Sequence, residues 1–284
     1  MTKYFLAREG TIATTAVKTA LQKFGSTTTA SDILVPGNAQ SLNHLIGWVS
    51  SAMSSTSGTA DYFLRTEGNG LPNGPEAWAI GACGEVVAAV QGITSFPMYY
   101  NSVGLPTKAG GNTVQLFADS TAGTTLGAST MGAVAVFDTG KAPTTNTRTY
   151  DVATSTTQTD VTMTAQGSNA NPPLTSPGQI SQLSRITAAV ASSAGTVGRQ
   201  VHLLRVGGQS IGTELDLVIG AIGGQQATAT VGIWSAPFQV GHDGMSADYT
   251  LDVPANPTQS LTVQMSNAET NTGATQGVVT LEFV

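Results

Sequence analysis

Short runs of apolar and β-branched residues, separated by clusters of Gly, Pro, Asn and Ser, follow one another from about residue 30 onward. This pattern is typical of an all-β sandwich or barrel. Near the C-terminus, residues 262–265 and 279–283 alternate with a period of two, so each is expected to bury one face. The predicted strands lie near 33–35, 42–49, 62–66, 77–82, 85–94, 98–103, 113–118 and 131–137, then near 161–165, 186–191, 200–206, 214–222, 227–234, 238–240, 249–253, 261–265 and 278–283. Residues 42–53 also fit a helix, so both elements are open there.

Residues 11–24 carry a helical pattern instead. The apolar residues on one stripe are Ile12, Ala13, Ala16, Val17, Ala20, Leu21 and Phe24. Thr11 is a suitable N-cap and Gly25 a suitable stop. The pattern predicts a short basic amphipathic helix, which could pack on its own domain, dock on a neighbouring subunit or lie on an anionic membrane.

One six-residue stretch occurs twice. Residues 92–97, Gly-Ile-Thr-Ser-Phe-Pro, return at 232–237 as Gly-Ile-Trp-Ser-Ala-Pro, a shift of 140 residues. The same shift relates Leu64 to Leu204, Arg65 to Arg205, Gly68 to Gly208 and Gly58 to Gly198. A shared offset at scattered positions indicates a duplicated globular domain, because solenoid and propeller repeats are much shorter. Chance similarity in a chain rich in Gly, Ala and Thr is the alternative.

The repeat predicts the domain organisation. Residues 1–27 form an N-terminal arm with the helix, residues 28–140 a first jelly roll and residues 141–284 a second. The polar segment 138–147, which contains Pro and Gly, is expected to be the interdomain linker. About eight strands per repeat is the size of a jelly roll. The expected fold class is therefore all-β, with two tandem jelly-roll β-sandwich or barrel domains and a short N-terminal amphipathic helix.

Composition favours a subunit that assembles. Charged residues make up only 10% of the chain, well below the ~25% of ordinary soluble domains. A surface of small neutral side chains is tolerable when much of it lies against neighbouring copies, although a stalk or adhesin shares this property.

Charge argues against a dedicated nucleic-acid-binding protein. The formal net charge is −6, and such a protein needs a basic face for phosphates. The N-terminal segment is the only basic one, with Lys3, Arg8, Lys18 and Lys23 against Glu9.

Cys83 is the single cysteine, so no intrachain disulfide forms. The first residues lack the apolar run of a signal peptide, and no stretch approaches 18 apolar residues. We therefore expect a protein that is made and kept soluble in a cytoplasm.

Two constellations could carry chemistry. Asp243, Asp248 and Asp252 form the densest acidic cluster, where a loop could hold calcium, although solvated loop acids are the simpler interpretation. Gly208-Gln209-Ser210-Ile211-Gly212 matches the G-x-S-x-G pattern of a hydrolase nucleophile. That pattern needs a helix after the serine, whereas residues 214–222 are predicted to be a strand. No other cofactor site is expected, and nothing points positively to an enzyme.

A basic amphipathic N-terminal segment, two fused β-rich repeats of jelly-roll size and low charge together resemble a double jelly-roll major capsid protein. This family belongs to the lineage of tailless icosahedral viruses that includes tectiviruses, corticoviruses and adenoviruses. The resemblance is architectural and covers the whole chain, without a specific sequence motif.

The resemblance implies homotrimers that act as pseudo-hexameric capsomers and tile a virion shell, assembled in the host cytoplasm around an internal membrane. Partners would be neighbouring capsomers and minor capsid or penton proteins, with no sequence-specific nucleic acid. Lys3, Arg8, Lys18 and Lys23 would then face the membrane or interior.

Two other classes of function remain open. A tandem β-sandwich adhesin, fibre or carbohydrate-binding module predicts exposed aromatic residues on one sheet and an export route. A β-rich hydrolase would depend on Ser210 alone.

Overall fold

The computed structural model describes residues 2–12, 18–23, 31–51, 58–72, 76–85, 93–94, 98–100, 103–120, 129–140, 146–154, 161–166, 176–192, 198–224, 233–234, 238–240, 251–267 and 275–284. Within these ranges every regular element is a β-strand, which confirms the predicted all-β fold class. No helix in the described part of the chain has the length and hydropathy needed to cross a bilayer.

The strands of the first half are β1 (Lys3–Ile12), β2 (Thr19–Ala20), β3 (Gln22–Lys23), β4 (Ile33–Leu34), β5 (Ser41–Ser51), β6 (Gly58–Glu67), β7 (Glu76–Glu85), β8 (Ile93–Thr94), β9 (Met98–Tyr100), β10 (Leu105–Pro106), β11 (Thr113–Asp119) and β12 (Ser129–Asp138). Those of the second half are β13 (Asn146–Thr154), β14 (Val161–Thr162), β15 (Thr164–Gln166), β16 (Gln182–Ser192), β17 (Gly198–Gly207), β18 (Leu215–Gly224), β19 (Ile233–Trp234), β20 (Phe238–Val240), β21 (Val253–Pro254), β22 (Thr262–Asn267) and β23 (Thr275–Phe283).

Each half forms two antiparallel sheets with the same strand order. The first large sheet runs β10-β5-β12-β1-β3, with β8 and β9 also paired to β5, and the first small sheet runs β2-β11-β6-β7, with β4 paired to β11. The second large sheet runs β15-β13-β23-β16-β19, with β20 and β21 paired to β16, and the second small sheet runs β14-β22-β17-β18. The chain is therefore two tandem sandwiches with one topology.

The irregularities of the sheets are repeated as well. The β5–β12 ladder skips Asn43, and the β16–β23 ladder skips Ser184. The β6–β7 ladder skips Ile80, and the β17–β18 ladder skips Ile219. A β-bulge is a specific local feature of a strand pair, so two at equivalent places support a true duplication.

A tight turn after β6 also recurs after β17. Gly68 and Gly208 have φ of 125° and 99°, a backbone region that favours glycine. In each turn, the amide two residues after the glycine donates a hydrogen bond to a carbonyl at or just before the start of the neighbouring small-sheet strand. Gly70 N donates to Thr113 O, and Ser210 N donates to Ser260 O, both at 2.9 Å.

Each sandwich encloses its own core. The first is filled by large side chains such as Trp78, Phe63 and Tyr100, and the ring centroids of Trp78 and Tyr100 lie 5.0 Å apart in an edge-to-face arrangement. The second is filled by residues that include Tyr150 and Phe283. Alternate residues of β22 supply the second core, as the period-two pattern at 262–265 predicted. At 279–283 both faces are buried, because the outer face of β23 lies against β7.

The predicted N-terminal helix is wrong in its described part. Residues 3–12 form β1, which pairs with β12 from Lys3↔Asp138 to Ile12↔Ser129. Residues 19–20 pair with β11 and residues 22–23 pair with β1, so this segment crosses from one sheet to the other. Pairing with two sheets overrides the helical spacing, and residues 13–17 lie outside the described residues.

Two further details differ from the sequence predictions. The segment 42–53, which also fitted a helix, is a strand as far as Ser51. The proposed linker 138–147 overlaps strands at both ends, because Asp138 ends β12 and Asn146 begins β13.

Candidate assembly surfaces

The two sandwiches meet where the edge strand β7 lies on the outer face of the second large sheet. The Ala79 amide donates to Thr280 Oγ1 at 2.8 Å, and Thr149 Oγ1 donates to the Ala77 carbonyl at 2.5 Å. The two threonine hydroxyls are themselves 2.8 Å apart. Side-chain hydroxyls thus satisfy the free backbone groups of an edge strand, which would otherwise be buried without partners.

Small side chains allow this close approach. On β7, Trp78 and Ile80 point into the first core, while Ala77 and Ala79 face the second sandwich and are buried. Ala189, Ala191 and Val278 of the second large sheet pack into the cluster that forms the first core.

We call β7 the contact edge. We call the outer face of β13, β23 and β16 the contact face, with the rows Thr147, Glu282 and Arg185; Thr149, Thr280 and Thr187; and Val278 and Ala189.

Charged and amide groups border this contact. Thr147 Oγ1 donates to Glu76 Oε2 at 2.7 Å, and Gln276 Nε2 donates to Asp61 Oδ2 at 3.0 Å. Burial raises the pKa of Glu76 above its usual value, and the Thr147 hydrogen bond and the nearby Arg148 oppose that shift. The Glu76 carboxylate is therefore held at the interface against a desolvation cost.

The first large sheet has an outer face equivalent to the contact face. Phe5, Ala7 and Trp48 on this face are exposed, whereas Val136 is buried. We call this outer face the open face. Its rows across β1, β12 and β5 are Phe5, Val136 and His44; Ala7, Val134 and Ile46; and Glu9, Gly132 and Trp48. The side chain of Phe5 is 67% exposed and that of Trp48 is 40% exposed. Gly132 makes room for the indole, because a Cβ there would lie 2.5 Å from Trp48 Cε2.

The strand equivalent to β7 is β18, at the end of the second small sheet. We call it the open edge. Val218 of β18 is 56% exposed, whereas its counterpart Ala79 is buried. Val218 immediately precedes the bulge residue Ile219 and lies opposite Leu203, as Ala79 precedes Ile80 and lies opposite Phe63. Among the described residues there is therefore one covered edge-on-face contact, and an equivalent edge and face that carry exposed side chains.

An ion pair lies on the open edge itself, because Asp216 of β18 takes the place of Ala77 of β7. Arg205 Nε donates to Asp216 Oδ1 at 2.8 Å, and this hydrogen bond holds the pKa of Asp216 below its usual value. Glu214 accepts from the same guanidinium at 2.5 Å. Both carboxylates are exposed, so they keep the strand end soluble and add little to stability.

The structure does not gather the four basic residues of the predicted arm on one surface. Lys3 is exposed on the open face, with Nζ 3.5 Å from His44 Nε2. Arg8, on the other side of β1, is buried, and it donates to the carbonyls of Ala7 at 2.9 Å and Asp32 at 3.3 Å.

The other two basic residues lie apart from these. Lys18 pairs with Glu67 and lies 4.3 Å from the centroid of the Phe117 ring. Lys23 is exposed on β3. Their proposed orientation toward a membrane or virion interior stays a prediction.

The predicted calcium site lies mostly outside the described residues. Asp243 and Asp248 belong to the undescribed segment 241–250. Asp252 is exposed and accepts a hydrogen bond from Gln182 Nε2 at 3.0 Å. Among the described residues, no group of three or more His, Cys, Asp or Glu side chains is arranged to hold a metal ion.

Ser210 lies in a strand–turn–strand segment. Its buried hydroxyl donates to the Asn256 carbonyl at 3.0 Å, and β18 begins at Leu215, where a hydrolase elbow would continue as a helix. The residue at the equivalent position of the first turn is Gly70, which makes the same backbone hydrogen bond. The serine thus has a structural partner in the turn.

Sequence reasoning did not find the open face or the open edge. The signal for the face was the run Tyr4-Phe5-Leu6-Ala7, which is apolar on both sides of β1. The signal for the edge was Val218, an apolar residue where the first repeat has Ala79.

No protein-family model and no curated protein sequence matches the chain. It is similar in architecture to the major capsid protein P2 from bacteriophage PM2, with 12% identity and a TM-score of 0.35 over 100% of this chain and 98% of that one. PNGase F, a glycosylasparaginase from Flavobacterium meningosepticum, has 11% identity and a TM-score of 0.37, over 96% and 95%.

The CBM22-1-CBM22-2 tandem domain from Paenibacillus barcinonensis Xyn10C has 10% identity and a TM-score of 0.22, over 99% and 93%. These three proteins have different functions, so the likeness does not select one of them.

Proposed function

We propose that this protein is a structural subunit of an icosahedral virion shell, in the role of a major capsid protein. The observation that carries the proposal is the pair of sandwiches with one topology, repeated bulges and a buried edge-on-face contact between them. Duplication of a unit lets a trimer present six similar lateral sides, where single-unit chains need six copies.

The composition and surface support the same proposal. Only 10% of the residues are charged, and the open face carries exposed Phe5 and Trp48. Exposed apolar surface of this kind marks interaction sites more often than free surface. In this proposal the protein forms pseudo-hexameric homotrimers in the host cytoplasm. It then contacts neighbouring capsomers, minor capsid or penton proteins and an internal membrane in the virion.

Electron microscopy of the purified protein, with its mass in solution, tests this function. We expect a species of three times the 28.9 kDa chain mass, with a pseudo-hexagonal outline, and closed shells at high concentration or with the companion proteins. A dispersed monomer at micromolar concentration would contradict the proposal.

A second candidate function is a carbohydrate-binding or adhesive module. It is favoured by one observation: Phe5 and Trp48, two exposed aromatic side chains, lie on the same sheet face. Exposed rings on a sheet suit stacking on sugar faces. Tryptophan fluorescence titrated with an oligosaccharide panel tests it, with Trp48→Ala as control. A saturable change that Trp48→Ala abolishes would favour this candidate.

A further inference from the structure

Both sandwiches have a β-strand edge and a large-sheet face of the same type, and in the described part of the chain one edge docks on one face. The contact edge β7 lies on the contact face of the second sandwich, and the Ala79 amide meets Thr280 at its centre. The open edge β18 and the open face of the first sandwich are the equivalent pair. The open edge and the open face of one chain cannot dock on each other. The contact between β7 and the contact face already fixes the two sandwiches in a different relative position.

We propose that the open edge of one copy docks on the open face of a second copy, in the orientation that β7 has within the chain. The threonine hydroxyls are not repeated there, because Ala7 and Val134 take the places of Thr149 and Thr280. Val218 of one copy then lies against Val134 of the next, because these residues take the positions of Ala79 and Thr280. The occupant of the open face is thus a second copy of this chain, presenting the edge of its second sandwich.

At two of the three facing pairs the residues on both open surfaces are apolar, which supports their pairing. At the third, Ala7 and Asp216 take the places of Thr149 and Ala77. Within the chain, the row of Thr147, Glu282 and Arg185 is polar, and Thr147 Oγ1 donates a hydrogen bond to Glu76 Oε2. The equivalent residues between copies are Phe5 and Leu215, which are both apolar. A polar pair in one contact therefore corresponds to an apolar pair in the other.

The central position shows the same joint change. Thr280 and Ala79 form the hydrogen-bonded centre within the chain, and Val134 and Val218 form the apolar centre between copies. Exposure agrees with this assignment, since Phe5 and Val218 are 67% and 56% exposed in the single chain. Leu215 also packs against the second core, whereas a contact from outside the chain would bury Val218.

The docking is head to tail, because each copy contributes an edge on one side and a face on the other. Such contacts generate closed rings when the rotation between copies closes, and filaments when it does not. Closure after three copies, with six sandwiches, rests on the function proposed above. The edge-on-face pairing itself does not require a shell.

Complementation between two variants tests the pairing. Phe5→Glu disables the face and leaves the edge intact, while Val218→Glu disables the edge and leaves the face intact. Both side chains are exposed, so both variants should fold, and Leu34→Glu, at a 63% exposed residue on β4, is the matched control. Thermal unfolding and far-ultraviolet circular dichroism verify folding.

We expect wild type and Leu34→Glu to oligomerise, and each single variant to bind itself at least about 100-fold more weakly, since a carboxylate would be buried unpaired. Mixing the two variants should restore one interface and give a 1:1 heterodimer that grows no further, measured by mass photometry. Oligomers of wild-type size in both variants, or a mixture that stays monomeric, would overturn the pairing.

The same samples separate this inference from the proposed shell. If the two variants complement each other but the wild type forms rings and no shells, the result would support the pairing and contradict the capsid function. Shells formed by Val218→Glu would support the capsid function and overturn the pairing.

Discussion

Single residues at the two repeated turns show how strictly the backbone path is specified. A Cβ on Gly68 would lie 2.3 Å from the Thr113 carbonyl oxygen, and one on Gly208 would lie 2.5 Å from that of Ser260. Both glycines also have positive φ, so space and conformation each require glycine. At Gly37, in contrast, no other group lies within 4 Å of the place that a Cβ would take.

Alanine substitution should therefore destabilise the protein at Gly68 and Gly208 but not at Gly37. We expect Gly68→Ala and Gly208→Ala each to lower the free energy of unfolding by about 1–3 kcal/mol. Gly37→Ala should change it by less than about 0.5 kcal/mol. Urea unfolding followed by tryptophan fluorescence measures the three values, and equal effects at all three glycines would contradict the steric argument.

The carboxyl group of Glu76 should make stability depend on pH. Burial raises its pKa in the folded state, so the folded protein holds this proton more tightly than the unfolded chain. The folded state is then favoured at pH values below the unfolded pKa, about 4.3, and this advantage is lost as the pH rises through the raised folded value.

Glu76→Gln keeps an acceptor for Thr147 and removes the titration. We expect the variant to gain stability relative to wild type as the pH rises from 4 to 7. Unfolding free energies measured in urea across this range test it. A constant difference between the two proteins would show that Glu76 has the same pKa in both states.

At the level of strands, the sequence pattern predicted the middle of each repeat and missed its beginning. Segments such as 113–118 and 261–265 were predicted because one face is buried and the other polar. Both β1 and β13 were missed. β1 has Phe5 and Ala7 exposed beside partly buried Tyr4 and Leu6, so no alternation marks it.

The second missed strand, β13, has a different cause. Its sequence Asn-Thr-Arg-Thr-Tyr is polar because Thr147 and Thr149 are buried against the first sandwich, where polar side chains meet backbone groups. A contact between domains, rather than local propensity, selects these residues. The sequence alone therefore predicted the repeat and fold class, but not the surfaces through which repeats meet.

The strand contact between sandwiches makes a direct prediction. Thr280→Val keeps the side-chain volume and leaves the buried Ala79 amide without its acceptor. We expect a loss of about 1–3 kcal/mol in unfolding free energy. Thr130→Val, at an exposed threonine on β12, is the control and should be nearly neutral. A neutral Thr280→Val would mean that water or another group can replace the hydroxyl.

For the whole molecule, the character of the exposed surfaces determines how assembly responds to solvent. The centres of the open face and open edge are the apolar Val134 and Val218, while Asp216 of the edge and nearby Glu214 are exposed and both pair with Arg205. Salt screens exposed charges but does not weaken apolar contacts. Ionic strength should therefore leave the oligomer intact.

We expect the oligomer mass to be unchanged between about 0.1 and 1 M sodium chloride, where the Debye length falls from about 10 to 3 Å. Sulfate at the same ionic strength should favour larger species, because it strengthens apolar association. Light scattering coupled to size-exclusion chromatography measures both. Dissociation at high salt would indicate that ion pairs hold the copies together.

The pairing of the first strand with the last in each sandwich has a historical consequence. Lys3 lies opposite Asp138, and Asn146 lies opposite Phe283, so each unit starts and finishes at one place in its large sheet. Two separate ancestral units could be fused by a few added residues without rebuilding either one. The fused gene could then let its two surfaces diverge, one into a permanent internal joint and the other into a reversible link between molecules.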